Sequence, residues 1–183
     1  LKREIANFVV VLPVLGKHKV VGDIDFLQRS LDYLKEVKYI NNIYVLTDNE
    51  IVSNLAIQNK AKVLARSKTM RDPHLSLEKV LQYALKSIEA LDDFPEAVVY
   101  INYLYPFRPA KLIDELISEL QYKGLDSVLS SYVDFGNYWE EDADGRFSQV
   151  GDALMPRVEK NPLHRALYGV GCVTSTPIIR MGS

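Results

Sequence analysis

The chain has 183 residues, 48% of them hydrophobic and 25% charged, which suits one well-buried domain and is short for two. A formal net charge of -2 and a pI near 6.0, with acidic and basic residues interspersed, exclude a protein whose main business is a nucleic-acid backbone. The single cysteine, Cys172, excludes an internal disulfide or a thiolate metal cluster and reads as a small buried hydrophobe in a reducing compartment. No apolar segment approaches the roughly 20 residues that span a bilayer, and the opening Leu1-Lys2-Arg3-Glu4 lacks a signal-peptide core, so a cytoplasmic protein is expected. A start at Leu1 and an end at Ser183, just after a helix start, also fit a domain cut from a longer chain.

In chain order, Phe8 to Leu12 is a continuous apolar run without alternation, which predicts a strand buried on both faces of a parallel sheet. Its loop, Pro13 to Lys19, then lies at the carboxyl edge, where open α/β sheets bind ligands. There Gly16, Lys17 and Lys19 suit a phosphate, the alternative being an ordinary connection with solvated lysines. Phe26, Leu27, Leu31, Leu34 and Val37 recur at helical spacing, predicting a helix from Asp25 to Lys38. Ile43 to Leu46 is a short strand, and Thr47-Asp48-Asn49-Glu50 opens the next helix with capping side chains and an early carboxylate.

Lys62 to Ala65 reads as a third strand, followed by the polar loop Arg66 to Pro73 and a helix opened by Ser76. Ala97 to Ile101 is a fourth strand, leading into Asn102 to Pro109, whose two prolines fix its shape. A helix with Leu112, Ile113, Leu116, Ile117 and Leu120 on one face stops at Gly124, and Ser127 to Ser131 is a fifth strand. From Val133 the rhythm changes: Asp144-Gly145 between short runs predicts a hairpin in an inserted segment. Tyr168 to Thr174 restores a strand, and Thr176-Pro177 starts a helix. A single α/β domain, 1–183, with a mostly parallel sheet follows.

Read in this order, the loops resemble the CMP-sialic acid synthetases (acylneuraminate cytidylyltransferases). Their first loop runs P-A-R-x-G-S-K, against Pro13-Val14-Leu15-Gly16-Lys17-His18-Lys19 here; their S-T-D stands against Leu46-Thr47-Asp48. Arg66, Asp72 and Ser76 match an arginine, an aspartate and a serine before a helix, and Asn102 to Arg108 matches Q-P-T-S-P-L-R with Pro106 and Arg108 kept. Leu125 to Ser130 matches A-D-S-V-x-S, and Tyr168 to Gly171 stands where the family has a tyrosine shortly before asparagine-glycine. Departures fall on chemical positions: Leu15 for arginine, His18 for serine, Asn102 for glutamine, Tyr103-Leu104-Tyr105 for P-T-S, and Asp23-Ile24 for a lysine-asparagine pair.

The resemblance implies a Rossmann-like three-layer nucleotidyltransferase fold and transfer of CMP from CTP to an acidic, nonulosonic-type sugar with release of pyrophosphate. The departures leave open a catalytically lapsed domain that binds nucleotide or sugar. It further implies Mg²⁺, with no ligand assigned here, and CTP and an acidic sugar as partners. Lys19 and Arg108 are the implied catalytic residues; Gly16, Lys17, Lys19, Arg66, Ser76 and Asn102 are the implied nucleotide contacts. Each has a plainer alternative: Lys19 as a surface lysine, Arg108 as solvated or paired with Asp114, and Ser76 as a helix cap. Tyr103 and Tyr105 either stack on a ligand or fill the pocket. No carboxylate can be assigned to His18, which reads as an exposed loop histidine. The aromatic segment Phe135 to Trp139 suits burial against a second copy in a homodimer.

Overall fold

The computed structural model describes residues 6–67, 70, 72, 74–151 and 154–182. The polar loop expected from Arg66 to Pro73 falls partly outside these residues. Two compact units are present: one contains the residues up to Ser130 and from Tyr168 onward, the other is Ser131–Leu167.

The first unit is built around β1 (Phe8–Pro13). Its residues Val9, Val10, Val11 and Leu12 have no exposed surface, as the unalternating apolar run predicts. On one side β1 pairs in parallel with β4 (Ile40–Thr47), which pairs in parallel with β5 (Lys62–Ala65). On the other it pairs in parallel with β6 (Ala97–Tyr100). β12 (Cys172–Ser175) joins β6 antiparallel and carries β7 (Ser127–Leu129) at the far edge, giving the order β5-β4-β1-β6-β12-β7.

Alternate side chains of β1 feed two cores. Val10 and Leu12 pack with Leu27, Leu31 and Leu34 of α1 (Phe26–Lys35), Val52 and Ala56 of α2 (Glu50–Gln58), and Ile113 and Ile117 of α4 (Leu112–Lys123). Val9 and Val11 pack with Val80, Ala84, Leu85 and Ile88 of α3 (Leu77–Glu89) and Ile179 of α5 (Thr176–Met181). The result is the expected three-layer α/β arrangement.

Local chemistry sets the helix ends. The Asp25 carboxylate accepts from the Leu27 and Gln28 amides at 3.0 Å, so α1 begins one residue after it. Asn49, rather than Thr47 or Asp48, caps α2, accepting from Ile51 N at 2.9 Å. Gly124 at φ 61° ends α4 in the left-handed conformation that glycine adopts freely.

Three expectations need correction. Ser127 to Ser131 is not one strand: β7 stops at Leu129, Ser130 N donates to Gly171 O, and the chain restarts at Ser131 in a different sheet. Tyr168 to Val170 is turn and Gly171 is irregular, so only Cys172–Ser175 forms the restored strand. A two-stranded ribbon missed from the sequence, β2 (Val20–Val21) and β3 (Ile24–Asp25), closes around Gly22 at φ 57°. In the second unit, β8 (Ser131–Asp134) pairs with β11 (Leu163–Ala166), and β9 (Tyr138–Glu141) with β10 (Phe147–Val150) across the predicted Asp144-Gly145 turn.

The amino edge of the sheet is tied by Asp93, whose carboxylate accepts from Asn7 Nδ2 at 2.7 Å, Asn42 Nδ2 at 2.7 Å and Tyr44 OH at 2.6 Å, with Lys62 Nζ at 4.0 Å. Burial pushes the Asp93 carboxyl up, but the three donors and Lys62 together outweigh it and hold it below the ordinary carboxylate value. A depressed folded value means that this stabilisation is complete above the ordinary carboxylate range and is lost as pH falls through it. Asp93→Asn should lower stability at neutral pH by about 3 kcal/mol, since an amide presents a donor to three donors. Urea melts of wild type and variant check this, and the gap between them should narrow in acid; equal stability at neutral pH would show the cluster to be dispensable.

Candidate functional site

The carboxyl ends of β1, β4, β5 and β6 bring together four of the loops singled out in the sequence. The first, residues 14–19, is fixed at several points. Val14 N donates to Leu46 O at 2.9 Å, and the buried Thr47 hydroxyl donates to Val14 O at 3.1 Å. Tyr103 OH donates to Lys17 O at 3.0 Å, and Phe26 N donates to Lys19 O at 3.2 Å. Gly16 sits at φ 100°, a conformation that disfavours other residues, with open space where a Cβ would be. Lys17 and Lys19 are exposed, and neither ammonium has an ion-pair partner among the described residues.

His18 departs from its reading as an exposed loop residue without a carboxylate. Its Nε2 lies 2.8 Å from Asp25 Oδ1, and only 15% of its side chain is exposed. The signal was weak, because Asp25 reads as a helix start and the intervening hairpin is too short to show a strand pattern.

Arg66 and Ser76 are occupied within the protein. Arg66 is largely buried: its Nε donates to Met70 O at 2.7 Å, and Nη1 lies 3.8 Å from Asp48 Oδ1. The Ser76 hydroxyl accepts from Lys79 N at 3.4 Å, so it caps α3, the plainer of its two readings. Beside them, a cavity of about 260 Å³ is lined by Pro13, Leu15, Leu75, Leu77, Val80, Tyr100, Asn102, Tyr103 and Leu104. Its lining side chains are apolar apart from Asn102 and the tyrosine hydroxyls. Tyr103 is only 5% exposed, so it fills space and binds Lys17 O rather than offering a face for stacking; Tyr105 remains exposed.

Arg108 serves as a clasp. Nε donates to Val170 O at 2.8 Å, Nη1 to Ser30 Oγ at 3.3 Å, and Nη2 to Asn102 O at 2.6 Å and Gly169 O at 3.2 Å. These bonds join the loop after β6, the turn before β12 and helix α1. Asp114, its alternative partner from the sequence, instead accepts from Lys38 N at 2.9 Å. All four acceptors of Arg108 are neutral, and burial pushes its pKa down to about 10. A Cβ on Gly169 would meet the Tyr105 ring at 2.6 Å and Asn102 Cβ at 3.0 Å, so a larger residue there would force the Tyr105 ring to shift.

None of the five clefts found among the described residues is lined by more than one of Gly16, Lys19, Ser76 and Arg108. Arg108 lines a different cleft of about 470 Å³ with Asp23, Asp25, Gln28, Arg29, Tyr33 and Phe107, while Asn102 and Leu15 line the apolar one. Among the described residues no cluster of three or more histidine, cysteine, aspartate or glutamate side chains stands ready to hold a metal ion, and no helix is long and apolar enough to cross a membrane.

No protein-family model matches the chain, and no curated protein matches it in sequence. Solved structures do match it in fold. Against 4-diphosphocytidyl-2C-methyl-D-erythritol synthase from Anaerococcus prevotii DSM 20548 the TM-score is 0.71, with 16% identity over 97% of this chain and 74% of that one. CMP:2-keto-3-deoxy-manno-octonic acid synthetase complexed with CTP gives a TM-score of 0.68, with 13% identity over 96% of this chain and 76% of that one. A further 4-diphosphocytidyl-2C-methyl-D-erythritol synthase gives 0.69, with 11% identity over 93% and 75%. With a mostly parallel sheet between helical layers, the chain has the Rossmann-like nucleotidyltransferase fold of these neighbours.

Proposed function

We propose that this chain is a cytidylyltransferase-type domain that binds CTP at the carboxyl edge of its sheet. Its reaction class is transfer of CMP to an acidic, nonulosonic-type sugar. The observation that carries the reading is the loop 14–19, with its open Gly16 backbone and unpaired Lys17 and Lys19, leaving the central strand of a fold shared with proteins named for cytidylyl products. In that reaction a sugar hydroxyl attacks the α-phosphorus of CTP, the bond to the β-phosphate breaks, and pyrophosphate departs.

Lys17 and Lys19 would cancel charge on the triphosphate, as compact ammonium groups commonly do. Asn102, the one amide in the apolar cavity, would meet the polar edge of the base. Arg66, in its ion pair with Asp48, and Ser76, at the start of α3, support the nucleotide loops from behind. Arg108 contributes by holding those loops and by its buried positive charge. Among the described residues no cluster of three or more His, Cys, Asp or Glu side chains fits Mg²⁺, which, when bound, would be held by triphosphate oxygens and offset their charge. A second copy of the chain is the partner favoured for the unit Ser131–Leu167, where Tyr138, Trp139 and Phe147 are exposed.

Two observations favour a second reading, in which the domain binds nucleotide with little turnover. Leu15 lines the apolar cavity where the resembling family carries an arginine, and the Arg108 donors are already engaged. A single missing electrostatic contact in a charged transition state costs on the order of 3 kcal/mol, about a hundredfold in rate.

Three outcomes are expected. Calorimetry should show CTP bound in preference to ATP, GTP and UTP, and Lys19→Ala should weaken it; equal affinity for all four would remove the cytidine assignment. Pyrophosphate release with CTP, Mg²⁺ and a panel of 2-keto sugar acids should be slow in the wild type and faster in Leu15→Arg, by up to about a hundredfold. Brisk wild-type turnover would contradict the weight placed on Leu15. Arg108→Lys should lower the melting temperature, because a point-like ammonium cannot span four acceptors on three segments; an unchanged melt would show that the clasp is idle.

A further inference from the structure

We infer that Tyr103 is a positioning residue for the phosphates: from the wall of the apolar cavity its hydroxyl holds the loop 14–19 through Lys17 O, so the loop is set before a nucleotide arrives. The inference rests on the nucleotide-binding reading above. Tyr103 OH donates to Lys17 O at 3.0 Å, across 86 positions of sequence. Burial pushes its pKa up, so the hydroxyl stays a donor at neutral pH. From Leu15 to His18 no other backbone group is hydrogen-bonded to a described residue. The other tie in this stretch is the His18 ring, with Nε2 2.8 Å from Asp25 Oδ1. The amides of these four residues are therefore open to a ligand, and their arrangement depends on the tyrosine bond.

The two partners of that bond are unequally held. The Tyr103 ring is 5% exposed and belongs to the core that contains Leu12, Val14 and Ile101. Its neighbour Asn102 donates from N to Gly169 O at 2.8 Å, while Asn102 O accepts from Tyr105 N at 3.1 Å and from Arg108 Nη2 at 2.6 Å. Lys17, by contrast, is exposed. The firmly held segment thus sets the shape of the freer one. Leu15 of the loop and Tyr103 also line the same cavity of about 260 Å³. A base-sized group seated there packs on Leu15 and favours the same loop arrangement, so filling the cavity and making the tyrosine bond act in one direction. With the loop ordered in advance, an anion loses less of its interaction energy to ordering it. Tyr103 acts through Lys17 and does not touch the phosphates.

Titration calorimetry would measure inorganic tripolyphosphate binding, with and without saturating cytidine, in wild type and in Tyr103→Phe. The variant keeps the ring and loses the hydroxyl, and the freed Lys17 O, on an exposed residue, turns to water. Loss of one ordinary hydrogen bond predicts tripolyphosphate binding weaker by up to about fivefold in Tyr103→Phe, and saturating cytidine should recover most of that loss. A second readout needs no ligand: trypsin cleavage after Lys17 should be about fivefold faster in the variant, since cleavage follows the population of the open loop. A fold-wide defect would instead speed cleavage throughout the chain and weaken tripolyphosphate with no recovery by cytidine. That result overturns the inference, as does unchanged tripolyphosphate affinity or unchanged cleavage after Lys17. The two proposals fail separately. Preferential CTP binding, with tripolyphosphate affinity unchanged in Tyr103→Phe, keeps the cytidylyltransferase reading and ends this one. Recovery that cytidine, uridine and adenosine provide alike keeps this one and ends the cytidine assignment. No binding of tripolyphosphate or CTP by the wild type ends both.

Discussion

Burial of β1 on both faces is the constraint from which the candidate site follows. A strand with no exposed surface from Val9 to Leu12 must have neighbours on either side and helices above and below. Parallel pairing on both sides then directs the ends of β4, β5 and β6 to the same edge as Pro13. Each residue from Phe8 to Leu12 contributes to one of two cores, so truncating Val10 or Leu12 would open a cavity between sheet and helices rather than a surface dent. The loops at the carboxyl edge can be irregular because the layer beneath them is not.

The two edges of the sheet use polar groups differently. At the amino edge, Asp93 accepts hydrogen bonds from Asn7, just before β1, and from Asn42 and Tyr44 of β4, and pairs with Lys62 of β5, so it ties these three strands together. At the carboxyl edge, Arg108 performs a similar task with the opposite charge and neutral acceptors. The partners differ in kind: Asp93 has Lys62 4.0 Å away, whereas Arg108 has only neutral oxygens among its bonded partners and lines a cleft that also holds Asp23, Asp25, Asp32 and Glu36.

Much of the fold was legible because its signals are local. The apolar run at Phe8, the helical spacing of Val80, Leu81, Ala84, Leu85 and Ile88, and Gly124 after a long amphipathic run each specify an element without long-range information. What escaped depends on pairing between distant segments. Ser127 to Ser131 has uniform strand character, and only the Ser130–Gly171 bond shows where it divides. The direction of β12 leaves no trace in its composition. The loop after β1 could be read as a candidate site from Gly16, Lys17 and Lys19, but the Arg108 partners are three carbonyl groups, which every residue carries, and the Ser30 hydroxyl. The His18–Asp25 pair escaped because Asp25 already accounted for itself as a helix start.

The central claim is that the loop leaving β1 and the loop leaving β6 together receive a cytidine nucleotide. Hydrogen–deuterium exchange of the full chain with and without CTP tests this most directly, because backbone amides report the binding surface whether or not turnover occurs. The account predicts slowed exchange in peptides covering Gly16 to Lys19 and Asn102 to Tyr105. Protection confined to other parts of the chain, or none at a CTP concentration that saturates a calorimetric signal, would contradict it.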